Sequence, residues 1–129
     1  LNVFLATREA GRVLKLLSGL GVSAASDAER SALERDGQLR LHWGHTPLDL
    51  FFSYDPLHER CLERKRRVPF GEGAEIDVLA PEDLLIFKVI FDRPKDWQDI
   101  RAMLFGLGSE LDAADVLDWL GRDALARAA

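Results

Sequence analysis

Cysteine, methionine and tyrosine are nearly missing from this chain, one of each in 129 residues. With Cys61 as the lone thiol, no internal disulfide can form and a cysteine-based zinc site lacks its ligands, which fits a reducing, cytoplasmic setting. No apolar run approaches the roughly 20 residues needed to span a bilayer, and no basic stretch precedes an apolar signal region at the N-terminus. A membrane partner is not expected. Positive charge is not in excess either: 17 Lys and Arg against 22 Asp and Glu give a net charge of -5, the wrong sign for indiscriminate binding to a nucleic-acid backbone. Any phosphate recognition must be local. A nucleophile elbow, a P-loop and a dinucleotide-binding glycine pattern are all absent, as are internal repeats and low-complexity tracts.

What is present suffices for one folded domain spanning residues 1–129, since 47% of the residues are apolar and 30% charged. Asn2-Val3-Phe4-Leu5-Ala6 reads as a strand that begins directly after Leu1, so a further segment is expected upstream. Thr7 is placed as the N-cap of an amphipathic helix carrying Val13, Leu16, Leu17 and Leu20 and stopped by Gly21. Ser26 with Glu29 is a capping-box pattern for a shorter helix ending near Gly37. Leu39, Leu41 and Trp43 alternate with Gln38, Arg40 and His42, the period of a half-buried strand, and Gly44-His45 turns the chain. Pro47 to Phe52 is apolar except at Asp49 and reads as a central strand covered on both faces, closed by Tyr54-Asp55-Pro56.

Beyond it, Leu57 to Arg64 can form a short helix that leads into the basic run Arg64-Lys65-Arg66-Arg67. Two extended pieces, Val68 to Phe70 and Glu75 to Leu79, are separated by Gly71 and Gly73 as a hairpin. The remainder is helical: one helix opened by Pro81, Glu82 and Asp83, a second after Arg93-Pro94, and a last one capped by Asp112 that buries Val116, Leu117 and Leu120. The fold class is α+β, a small mixed sheet flanked by helices and followed by a C-terminal helical segment.

Three places invite chemistry. Asp49 interrupts an apolar strand, and a lone buried carboxylate loses its hydration without compensation, so it needs either a salt-bridge partner or a ligand role as metal binder or general base. Lys88 stands among Leu84, Leu85, Phe87, Val89 and Ile90, where it snorkels, pairs with Asp96 or Asp99, or meets an anion; only in the last case would methionine at 88 keep the packing and cost binding alone. Asp96 and Asp99 lie three apart, hence on one helix face, where Arg93 or Lys95 can pair with them. His42, His45 and His58 lack metal-ligand spacing and read as surface or turn residues.

Taken in order, the opening strand, the strand bearing Leu48-Asp49-Leu50-Phe51, the stretch Val78 to Lys88 and the stretch Arg93-Pro94-Lys95-Asp96-Trp97-Gln98-Asp99-Ile100 resemble the minimal nucleotidyltransferases. The flavour is that of bacterial nucleotidyltransferase-like proteins related to the abortive-infection toxins of type IV toxin-antitoxin systems. The likeness runs from Asn2 to about Leu104 and is carried mainly by its later part.

The resemblance implies Mg²⁺-dependent transfer of a nucleoside monophosphate from an NTP to a hydroxyl acceptor, RNA or protein. Asp49 would be the catalytic carboxylate, with Asn2 and Asp49 at the metal, Lys88 and Arg93 at the nucleotide, and Asp96 and Asp99 in support. The family's Gly-Ser loop and the first Asp of its pair would precede Leu1, and the second Asp corresponds to Asn2, which brings no negative charge. The active site is therefore expected to be either degenerate or only partly contained in this chain. A non-catalytic module of the same fold is the alternative, holding RNA or a partner protein through the basic segment Arg60 to Arg67 or the apolar C-terminal helices. Acceptor, nucleotide preference and oligomeric state stay open at this level.

Overall fold

The computed structural model describes residues 1–23, 26–53 and 55–128. It divides into two units, Leu1–Glu63 and Arg64–Ala129.

In the first unit, strand β1 (Asn2–Ala6) pairs in parallel with β3 (Thr46–Ser53), and β2 (Gln38–Trp43) pairs with β3 in antiparallel fashion, giving a mixed sheet of order β1-β3-β2. The apolar run of β3 thus sits in the centre, as its composition predicts. Period-two alternation divides the sheet into two faces. Leu39, Leu41, Leu48, Leu50 and Phe52 turn to one side, where they form a buried core with Val22 and with the half-buried Val3, Leu5, Leu14, Leu17 and Leu33. Helices α1 (Ala10–Gly19) and α2 (Asp27–Asp36) supply the helical members of that core.

The capping box of α2 forms as read from the sequence: Glu29 N–H donates to Ser26 Oγ and Ser26 N–H to the Glu29 carboxylate, while Gly37 closes the helix at φ 61°. Thr7 does not cap α1. It begins a 3₁₀ turn, Thr7–Glu9, and α1 follows with Glu9 at its N-cap and no side-chain bond there. Trp43 also departs from the strand pattern: it is 55% exposed at the end of an edge strand. The strand-closing role given to Tyr54 lies outside the described residues. Helix α3 (Pro56–Arg64) starts where Asp55 Oδ1 accepts the Leu57 N–H at 2.8 Å.

In the second unit, β4 (Arg66–Pro69) and β5 (Glu75–Val78) form an antiparallel hairpin, its loop using Gly71 at φ 67° and Gly73 at φ 73°, conformations that side chains disfavour. Helices α4 (Pro81–Phe91), α5 (Pro94–Leu107) and α6 (Ala113–Ala128) follow. Pro81 and Pro94 occupy first-turn positions, where a missing N–H costs nothing. Asp112 caps α6 by accepting the Asp115 N–H at 3.0 Å, as expected. Leu117, in contrast, is 69% exposed while Val116 is buried. No helix among the described residues is long and apolar enough to cross a membrane.

Candidate functional site

The face of the first sheet opposite the core carries Asn2, Arg40 and Asp49. Register sets Asn2 beside Asp49 on one flank and Arg40 beside Asp49 on the other, so the three form a row across β1, β3 and β2. Residues in register on neighbouring strands project to the same face, hence Asn2 and Asp49 do share a side of the sheet.

Asp49 is 9% exposed and its carboxylate is gripped by Arg40, with Nε donating to Oδ1 at 2.6 Å and Nη2 to Oδ2 at 2.9 Å. This fork-on-fork geometry is the strong form of the ion pair. Hydrogen bonds from Arg40 hold the Asp49 carboxyl below its ordinary range, outweighing the burial that would raise it. Arg40 is the residue that sequence reasoning did not single out. Its signal was there: Arg40 lies on the polar phase of an alternating strand, and a two-residue Gly44-His45 turn places it opposite Asp49.

In the next row Phe4 and Phe51 stack at 5.0 Å, and His58 of α3 tilts over Phe4 at 5.9 Å. His58 is half-buried instead of superficial, and burial lowers its pKa. His42 and His45 are exposed. On the core side an open apolar hollow of about 140 Å³ is lined by residues that include Leu17, Leu20, Trp43 and Leu48. Its exposed surface is apolar.

The other candidate residues belong to the second unit, at the corner between α4 and α5. Lys88 Nζ lies 2.5 Å from Asp99 Oδ2 and 3.6 Å from Asp96 Oδ1. Arg93 donates through Nε to Asp96 Oδ2 at 2.6 Å and through Nη2 to Asp96 Oδ1 at 3.1 Å, while its backbone N–H reaches Oδ2 at 3.3 Å. Asp96 is 1% exposed, and the Arg93 bonds hold its carboxyl low. Asp92 makes the corner at φ 51°, a left-handed conformation rare outside glycine. Its side chain accepts the Trp97 indole N–H at 2.6 Å, which gives aspartate a reason to be there. Arg93 also lies over the Phe91 ring at 5.0 Å. Lys88, Arg93, Asp96 and Asp99 thus form one network, with Asp99 held by Lys88.

The basic run is engaged in the same way. Arg64 lies 3.8 Å from Glu82, 3.7 Å from Asp83 and 3.2 Å from Asp115; Arg66 meets Glu82 at 3.4 Å; Lys65 and Arg67 share Asp77 at 2.8 and 3.1 Å. Glu82 and Asp83 are buried, at 2% and 0% exposure, a role that helix-dipole reasoning from the sequence did not foresee. Glu82 Oε1 also accepts the Asp112 N–H at 3.1 Å and so ties the start of α6 to α4.

The donor set around Asp49 does not fit a pair of magnesium ions. One carboxylate with both oxygens engaged, beside one neutral amide, supplies too little negative charge, and no cluster of three or more His, Cys, Asp or Glu side chains able to hold a metal occurs among the described residues. A divalent ion roughly 5 Å from the guanidinium would also be repelled by about 2 kcal/mol even at the dielectric of water. Comparison with protein-family models and with curated proteins finds no match.

Proposed function

We propose that this chain is a nucleotidyltransferase-type α+β protein that works as a binding module, without transferring nucleotides by itself, and that its partner is a protein. The observation that carries this reading is the two-bond grip of Arg40 on Asp49, which commits the only carboxylate of the Asn2–Asp49–Arg40 row to an internal ion pair. The network at Lys88 and Arg93 supports it, since the cations meant for a triphosphate face carboxylates of their own unit.

A protein is favoured over RNA on electrostatic grounds. Phosphate binding draws its affinity from cations that are free to replace counterions. Here Arg64 to Arg67 already face Asp77, Glu82, Asp83 and Asp115, and the net charge is -5. Phe105, Leu117 and Leu125 are 84%, 69% and 74% exposed on α5 and α6, apolar side chains that a polypeptide could cover.

Titration calorimetry of the 129 residues with Mg²⁺-ATP tests the reading, and no saturable heat is expected. Tight, Mg²⁺-dependent binding refutes it in favour of metal-dependent nucleotidyl transfer. One observation supports that second reading, the adjacency of Asn2 and Asp49 on one face. In it, Asn2→Asp would strengthen Mg²⁺-ATP binding.

A further inference from the structure

We infer that Arg40 stands at Asp49 in place of a metal ion, so that the face carrying Asn2, Asp49 and Arg40 is balanced by a resident cation and works without a divalent one. The inference rests on the binding-module reading and specifies what occupies its central residue. Three observations carry it. Arg40 reaches both carboxylate oxygens, at 2.6 and 2.9 Å, leaving neither free of a charged donor. It comes from the strand position directly in register with Asp49, so the backbone ladder delivers the guanidinium to its place. On the other flank stands Asn2, an amide with no charge to draw a cation in.

A magnesium ion requires near-octahedral oxygen ligands at about 2.0–2.1 Å and gives up its waters reluctantly. To bind Asp49 it would have to displace a planar donor matched to the carboxylate, and then remain beside the displaced positive charge. The pair also does work of its own. A slip of β2 by one residue would carry Arg40 to the core face and Leu39 or Leu41 to the polar one, so the ion pair holds the same register as the core.

Thermal unfolding and Mn²⁺ relaxation of backbone amide resonances test the inference together, at constant ionic strength. For the parent chain the melting temperature is expected to agree within about a degree between EDTA and millimolar Mg²⁺, and Mn²⁺ should leave the amides of residues 2, 40 and 49 no broader than others. A rise of several degrees with Mg²⁺ that Asp49→Asn abolishes would overturn the inference. Arg40→Gln removes the resident charge, and selective Mn²⁺ broadening at residues 2 and 49 is then expected at millimolar concentration; its absence overturns the claim that arginine holds a cation's place. Arg40→Met repeats that measurement should the glutamine variant not fold, and Arg40→Lys, which keeps the charge, should stay unbroadened. Mg²⁺-ATP binding that Asp49→Asn does not alter would refute the binding-module reading and leave this inference standing.

Discussion

Replacing Lys88 by methionine separates an anion-binding lysine from a structural one. Methionine keeps the straight aliphatic stem, so packing is conserved and the change isolates the ammonium. The Lys88 side chain is 17% exposed and lies 2.5 Å from Asp99 and 3.6 Å from Asp96. Removing one partner of a fully buried ion pair costs about 3–5 kcal/mol, whereas a surface pair is worth about 0.2–1 kcal/mol. Lys88 falls between these limits. Asp99 is 40% exposed and can rehydrate, and Asp96, though 1% exposed, keeps both Arg93 contacts. A loss of about 1–2 kcal/mol follows, or a fall in melting temperature of roughly 4–10 °C.

Urea denaturation of the parent, Lys88→Met, Asp99→Asn and the double variant gives the stability change and its coupling. The two substitutions should be less than additive by about 0.5 kcal/mol or more, since either one already breaks the shared contact. Full additivity, with Lys88→Met within about 0.3 kcal/mol of the parent, would refute the structural role and return Lys88 to the pool of phosphate ligands.

Leu50, 1% exposed at the centre of the first core, should lose about 2.5–5 kcal/mol on Leu50→Ala, read as a lower urea midpoint at unchanged slope. Ser26→Ala removes the acceptor for the Glu29 N–H and should cost about 1 kcal/mol, with Ser26→Asp restoring most of it. Stability should fall on acidification: Asp49 and Asp96 are held low by Arg40 and Arg93, Asp77 by Lys65 and Arg67, and Glu29 by Ser26. The unfolded chain therefore takes up protons first, so the carboxylate contribution is fully present above about pH 5 and declines as pH drops through the depressed folded values. His58, lowered by burial, adds a loss of the same sign as pH falls below about 6.5. Urea midpoints at pH 7 and pH 3 check this, and Asp49→Asn should flatten the profile.

Patterns confined to one element could be read directly from the sequence. The period-two alternation of β2, the apolar run of β3, the Ser26–Glu29 box, the Gly71–Gly73 hairpin and the Pro81 and Pro94 helix starts all arise from sterics and hydrogen bonding within a few residues, and each is found in the fold. Asp49 and Lys88 also stood out, because a charge in an apolar stretch demands a partner. Which partner it has depends on how neighbouring elements fold against each other. Arg40 meets Asp49 through the pairing of β2 with β3, and Lys88 meets Asp99 only because the corner at Asp92 folds α5 back on α4. Sequence determined that these charges needed compensation, since desolvation is a property of the local apolar pattern. Tertiary structure decided which nearby opposite charge supplies it, because the pairing of β2 with β3 and the corner at Asp92 fix which side chains meet.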